Sequence, residues 1–201
     1  MTSHLRRLPS EHPALRVKNG NLQLASGALE APERRYDADF ATVSVAERVA
    51  CFTFGKRSVN DPARLRTRLQ IRMGEDAFLK YFWLPSVSFR DALRAFLQLH
   101  GPISDHAGGT WQADADHSDW ANVCSMAHAG QYAVLDFHEL SPSGLARFSK
   151  HQDPSGLDVR AVVRIQLSAM QLVGLLDAAE AFVPDIQGRV HLEPGELEEE
   201  E

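Results

Sequence analysis

Arginine side chains recur at alternate positions in residues 64–73, and they are the residues of this chain best suited to bind a ligand. Polar and mostly apolar residues alternate strictly over this stretch, and its arginines are Arg64, Arg66, Arg68 and Arg72. This alternation is the period of a half-buried β-strand, so one face is expected to enter a core and the other to carry a column of guanidinium groups. Such a column predicts contact with a polyanion, whose phosphates it can follow.

A second group of reactive side chains lies in residues 114–119, where Asp114, Asp116, His117 and Asp119 fall within six positions. Carboxylates and an imidazole can hold a metal ion. A calcium loop of the EF-hand type, however, needs glycine at its sixth position and glutamate at its twelfth, and Asp119 and Ser125 stand there. The composition is ordinary for a turn, so the sequence predicts a solvated loop without a metal or other cofactor.

No catalytic arrangement is apparent in the sequence. It contains neither a glycine-rich phosphate loop with its lysine nor a Gly-x-Ser-x-Gly elbow. Cys51 and Cys124 lie in apolar segments without metal-type spacing, which predicts two buried free thiols. The sequence therefore favours a noncatalytic binding protein over an enzyme.

Composition predicts a folded protein with a strong internal charge asymmetry. The chain has 201 residues, 44% of them hydrophobic, and lacks an apolar run long enough to span a membrane or a leader-like segment, so a cytoplasmic location is expected. Residues 1–101 carry 16 Lys+Arg and 10 Asp+Glu, whereas residues 102–201 carry 5 and 17. The basic half suggests an anionic partner, although the two halves can also attract each other or a second subunit.

The elements around the arginines are predicted as four strands and one helix. Residues 41–46, 49–56, 64–73 and 77–84 have strand-like composition. A helix is then expected from a cap at Ser88 to the break at Gly101-Pro102.

The same order follows in the second half. Strands are predicted at residues 121–127, 132–140, 145–150 and 159–167, and a helix begins at the capping box of Ser168 and Gln171. We therefore predict an α+β fold with two tandem ββββα units, residues 39–102 and 109–187, related by a pseudo-twofold axis in one domain over residues 39–187. Residues 1–38 form an extension with a possible hairpin at Asn19-Gly20, and the acidic tail, residues 188–201, is predicted to be disordered.

The predicted hairpin at Gly74 brings aromatic rings beside the arginines. Depending on the loop length, Arg66, Arg68 and Arg72 face either Tyr81 and Trp83 or Lys80 with its neighbouring phenylalanines. Cations beside aromatic rings are typical of surfaces that bind single-stranded nucleic acid. The alternatives are a solvated face paired with acidic side chains and a surface for an acidic protein. The predicted nucleic-acid-binding residues are Arg64, Arg66, Arg68, Arg72, Lys80, Tyr81 and Trp83.

In topology, two tandem ββββα units over residues 41–183 resemble the PUR, Whirly and related single-stranded nucleic acid binding proteins. The resemblance implies a sheet face that presents basic and aromatic residues. It makes single-stranded nucleic acid the first expected partner. The competing prediction is a protein-interaction or assembly module that forms a homodimer without a nucleic acid ligand.

Overall fold

The computed structural model describes the backbone of residues 6–7, 15–18, 21–24, 29–57, 60, 64–100, 110–112, 115–141, 143 and 158–191, and most of their side chains from residue 29 onward. The strands are β1 (Arg6–Arg7), β2 (Leu15–Lys18), β3 (Asn21–Leu24), β4 (Arg35–Asp37), β5 (Phe40–Ala46), β6 (Val49–Arg57), β7 (Arg64–Gly74), β8 (Thr110–Gln112), β9 (His117–Trp120), β10 (Val123–Ala129), β11 (Tyr132–Leu140) and β12 (Asp158–Ser168). The helical elements are α1 (Glu75–Ala77), a π-helical segment (Phe78–Trp83), α2 (Leu84–Phe96), α3 (Ala169–Glu180) and α4 (Val183–His191). The predicted α+β class is confirmed.

Two sheets, each four strands wide, form the body of the fold. In the first sheet β5, β6 and β7 are antiparallel, and β8 and β9 lie one after the other along the free edge of β7, both parallel to it. In the second sheet β10, β11 and β12 are antiparallel, and β1 and β4 share the free edge of β12. The Asp-rich segment, expected to be a loop, therefore leads into the edge strand β9.

At these two edges the chain crosses from one sheet to the other. β4 pairs with β12 of the second sheet and continues directly into β5 of the first, while β9 pairs with β7 of the first sheet and continues into β10 of the second. The backbone N–H of Ala38 donates to the carbonyl oxygen of Gln166 at 2.8 Å, and that of Ala121 donates to Arg72 at 3.0 Å. Both central strand pairs also shift register once, between Phe54 and Gly55 and between residues 137 and 138.

The core lies where the sheets and helices meet. Phe52 and Phe54 of β6 contact Phe137 of β11, with ring centroids 5.6 and 5.9 Å apart. Most apolar side chains of α3 are buried in the same cluster, and Met170 is the exposed exception. Burial of such large apolar side chains contributes roughly 1.5 to 3 kcal/mol each, so this shared core holds the two sheets together.

The predicted strand over residues 77–84 is wrong, because α1, the π-helical segment and α2 form a continuous helical stretch there. Phe78 and Phe82 are four residues apart, are both fully buried and stack with ring centroids 5.4 Å apart. Helical spacing places both rings on one face against the core, and this packing outweighs the strand propensity of the aromatic residues. The stretch ends at Phe96, and Ser88 lies inside α2 and does not cap it.

Two local predictions are confirmed. β2 and β3 pair antiparallel with Lys18 opposite Asn21, as the predicted hairpin requires. Ser168 caps α3 reciprocally: its hydroxyl accepts from the Gln171 backbone N–H at 3.1 Å, and the Gln171 side chain accepts from the Ser168 N–H at 3.0 Å. The strand predicted at residues 145–150 and the tail beyond residue 191 lie outside the described residues.

Two described elements cross or lie beyond the predicted domain limits, which themselves stay a prediction. α4 runs through residue 187 to His191, and β4, inside the predicted extension, is part of the second sheet. Within the part of the chain that the structure describes, each helix is too short or too polar to cross a membrane.

Candidate functional site

The arginine strand exists as predicted from its alternation. Along β7 the odd positions from Leu65 to Met73 are buried, while Arg66 and Arg72 are exposed and Arg68 is half-buried. Arg64 begins the strand opposite Thr110, and its side chain lies outside the described residues.

A β-bulge interrupts the column of arginines. Phe54 pairs with Leu69 and Gly55 pairs with Thr67, so Arg68 is an extra residue without a cross-strand partner. A Cβ atom at residue 55 would overlap a neighbouring aromatic ring and a backbone carbonyl of β7, which explains the glycine at this point.

The bulge places the arginines on different faces of the sheet. Arg66 lies opposite Lys56, which shares a face with the core residue Phe54. Arg72 lies opposite Cys51, which belongs to the other face. The expectation that Arg66 and Arg72 share a face is therefore wrong, because one extra residue reverses the alternation.

Three cations lie close together where β6 ends and β7 begins. We call these residues, Lys56, Arg66 and Arg68, the basic end of the first sheet. Arg68 Nη1 lies 2.6 Å from Asp116 Oδ2, and Arg66 Nη2 lies 3.6 Å from Asp116 Oδ1. Lys56 contacts no acidic or hydrogen-bonding partner among the described residues. The basic end thus holds three positive charges around one carboxylate.

A pocket of about 430 Å³ opens beside the basic end. The described residues that line it come from β6, β7, β9 and the chain at β4: Arg34, Tyr36, Lys56, Arg68, Leu69, Asp116 and His117. Its volume is within the range of small-molecule sites, about 300 to 1,000 Å³. Arg34 Nη1 contacts Asp119 Oδ2 at 2.6 Å, which links the chain before β4 to β9.

Two titratable groups of the pocket have shifted pKa values. Burial is the main cause that raises the pKa of Tyr36 to about 12, and its hydroxyl oxygen is buried without a hydrogen-bond partner in the described structure. The hydrogen bond from Arg68, with a smaller contribution from the charge of Arg66, lowers the pKa of Asp116. At neutral pH the pocket therefore combines a protonated phenol with an ionised carboxylate.

The other predicted site residues lie elsewhere. Lys80 forms an ion pair with Asp76 at 3.0 Å, and burial is the main cause that raises the pKa of the half-buried Tyr81. Trp83 is buried, with the guanidinium carbon of Arg90 5.3 Å from its ring centroid. All three predicted residues belong to the π-helical segment, so the predicted pairing of Tyr81 and Trp83 with the arginines is wrong.

Sequence reasoning missed Arg34, Tyr36 and Lys56 as site residues. Lys56 stood in a predicted strand, and the other two stood in the predicted extension. Arg34 and Tyr36 approach β7 only because β4 crosses between the sheets, and no local sequence pattern indicates that crossing.

Histidine and cysteine do not build a second site in the described part of the chain. There, no group of three or more His, Cys, Asp or Glu side chains is placed to hold a metal ion. Nε2 of the buried His138 lies 3.0 Å from the carbonyl oxygen of Glu30. Both cysteines are free, and burial raises the pKa of the Cys124 thiol well above its usual value, whereas Cys51 is half-buried.

Charges at the corresponding strand ends of the second sheet are internally neutralised. Glu139 lies opposite Arg160 and forms a 2.6 Å ion pair with it. Asp136 and Arg164 are likewise opposite each other and 2.6 Å apart at the closest atoms.

Comparison of the chain with protein-family models, with curated proteins and with solved structures found no match.

Proposed function

We propose that this protein is a noncatalytic, cytoplasmic binding protein that takes the phosphate backbone of single-stranded nucleic acid at the basic end of the first sheet. The observation that carries this proposal is the cross-strand pair of Lys56 and Arg66, two cations side by side with Arg68 next to them. Like charges opposite each other destabilise a sheet. A bound polyanion relieves this repulsion, which gives the arrangement a function.

An exposed aromatic ring near the pocket supports nucleic acid over other polyanions. Trp120 ends β9 and is 49% exposed, and it stands three residues beyond His117, which lines the pocket. Three residues of a strand span about 10 Å. Trp120 pairs with Arg72 and so lies on the other face of the sheet from the basic end. A strand of nucleic acid that passes over the edge of the sheet at β9 can place a phosphate at the basic end and stack a base on Trp120, the combination typical of single-strand binding.

We also infer that the two halves are copies of one unit, related by a pseudo-twofold axis, in which the first strand is exchanged. Each copy has three antiparallel strands followed by a helix, with the same register shift in the central pair. The exchanged strands β4 and β9 take equivalent places. This arrangement keeps the topological resemblance to tandem single-strand binding proteins, with the fourth strand supplied by the other copy.

Fluorescence anisotropy with a labelled oligothymidylate of about 12 nucleotides, at about 50 mM salt, tests the proposed function. Arg66→Ala and Arg68→Ala are each expected to weaken binding and to reduce the slope of log affinity against log salt by roughly 0.7 to 1. Arg160→Ala is the matched control, since this arginine occupies the corresponding place on the second sheet and is already paired with Glu139. Failure of the wild-type protein to bind, or equal losses in all three variants, contradicts the proposal.

The second candidate function, a module that forms homodimers, is favoured by exposed apolar side chains. Tyr132 is 77% exposed and Met170 is 44% exposed, and Tyr132 pairs with Ser168, two residues before Met170. Light scattering distinguishes the two candidates: a dimer that Tyr132→Ser dissociates, together with no oligonucleotide binding, supports assembly instead.

A further inference from the structure

Charge at the pocket exceeds what one internucleotide phosphate needs. Arg34, Lys56 and Arg68 line the pocket and Arg66 lies beside it, which makes four positive charges; among the described residues, the acidic side chains that contact them are Asp116 and Asp119. Asp39 is not ion-paired with these cations in that part of the chain, and its Oδ2 accepts the backbone N–H of Arg57 at 3.1 Å. The formal excess of two charges matches a phosphate monoester, which carries about −1.5 to −2 at pH 7, better than a diester with its single charge.

Asp116 occupies the place that an external anion would take. Its two carboxylate oxygens face Arg68 and Arg66 separately, and its side chain remains 37% exposed. A phosphoryl group offers the same kind of acceptor pair with more charge. Asp116 therefore behaves as an internal competitor that the ligand displaces.

Tyr36 provides a donor that the protein itself leaves unused. Its buried hydroxyl has no partner in the described structure, and the ring sits in the wall of the pocket beside Arg68. A buried polar group without a hydrogen bond is destabilising, so an acceptor that reaches this hydroxyl when Asp116 is displaced gains more from it than from an exposed one.

We infer that the pocket binds the terminal phosphate monoester of a nucleic acid strand, with Arg68, Lys56 and the Tyr36 hydroxyl as its donors. This inference rests on the proposed function and names the part of the strand that enters the site. The buried Leu69 forms apolar wall in the same pocket, while β9 leads away from it toward Trp120. A strand that ends in the pocket and passes over the edge of the sheet at β9 uses both features.

The test compares one oligothymidylate in three forms, with a 5′-phosphate, with a 3′-phosphate and with neither, by anisotropy at constant salt and pH 7.5. One phosphorylated form is expected to bind roughly ten-fold more tightly than the unphosphorylated form, the effect of a charge-assisted contact. Tyr36→Phe removes only the hydroxyl and is expected to abolish most of this difference. Tyr81→Phe is the matched control, because Tyr81 is half-buried outside the pocket.

The outcomes separate this inference from the proposed function. If all three forms bind equally and Arg68→Ala weakens each of them, backbone binding stands and the terminal phosphate site is overturned. If the oligonucleotides do not bind but thymidine 5′-monophosphate binds where thymidine does not, with Tyr36→Phe weakening it, the phosphate site is supported and the nucleic acid function is overturned. Circular dichroism of the two phenylalanine variants confirms that their fold is unchanged.

Discussion

The first and second sheets each have three antiparallel strands with one register shift, but they differ in whether the charges at the strand ends are paired. At the end of the central pair, Lys56 faces Arg66 in the first sheet, while Glu139 faces Arg160 in the second. The residue left without a cross-strand partner at the register shift is Arg68 in one sheet and position 162, a buried valine, in the other. One sheet neutralises itself, and the other leaves positive charge available for an external anion.

On the opposite face, one corresponding cross-strand pair is charged in the second sheet and uncharged in the first. The second sheet carries the ion pair of Asp136 and Arg164, whereas Thr53 faces Gln70 at the corresponding place in the first. The comparison teaches that charge at these strand ends follows local side-chain pairing and not the overall charge of each half. Among the described residues, Glu139 and Asp136 of the acidic half pair across the strands with Arg160 and Arg164, whereas Lys56 of the basic half faces another cation.

Removal of a charge from the self-neutralised sheet is expected to have the largest effect. Asp136→Ala leaves the partly buried guanidinium of Arg164 without its partner, and we expect the free energy of unfolding to fall by about 2 to 4 kcal/mol. Urea denaturation measures this change. Thr53→Ala, at the corresponding position of the first sheet, is the control and is expected to change stability by about 1 kcal/mol or less. Equal losses in both variants would show that the pair contributes nothing specific.

Exchange of charge between the sheets tests the comparison directly. Lys56→Glu gives the first sheet the same cross-strand pair as the second, so Arg66 gains an internal partner and oligonucleotide affinity is expected to fall by roughly 10- to 100-fold. Glu139→Lys makes the reverse change in the second sheet. If the Glu139→Lys variant binds the oligonucleotide with a steeper salt dependence than the wild type, unpaired cations at the strand ends are sufficient for binding. If neither variant alters binding, the basic end is not the binding surface.

The smallest expected effect concerns the carboxylate that the basic end already holds. Since Arg68 is the main cause that lowers the pKa of Asp116, Arg68→Ala is expected to raise that pKa toward its ordinary value. The folded-state pKa is below the unfolded one, so this contact stabilises the fold at neutral pH and is lost as the pH falls through the lowered pKa. Carboxyl NMR titration of both proteins measures the midpoint. Arg72→Ala, on the other face of β7, should leave it unchanged.

Two local predictions from the sequence were right because neighbouring residues decided the outcome. Alternation identified β7, and the spacing of Ser168 and Gln171 identified the start of α3. The aromatic segment after Gly74 was misread, because β propensity and a short apolar run do not distinguish a strand from a buried helix. Phe78 and Phe82 became helical since the core offered one helical face a place to pack.

The candidate site was predicted only in part. Arg66 and Arg68 lie together at the basic end, whereas Arg72, which was grouped with them, lies on the other face, because a bulge has no reliable sequence signal. Arg34 and Tyr36 were not named, since they reach the site from a segment paired with the other sheet.

The sequence by itself determined the strand that carries the arginines, the capping box at Ser168, the α+β class and the uneven charge of the two halves, because each depends on periodicity, propensity or composition along the chain. Only the tertiary structure decided which cations meet. One extra residue at Arg68 reverses the faces of β7, and the crossing of β4 and β9 between the sheets brings Arg34, Tyr36 and Asp116 to the same pocket. These are consequences of long-range strand pairing, whose register is set by the shared core and not by neighbours in sequence.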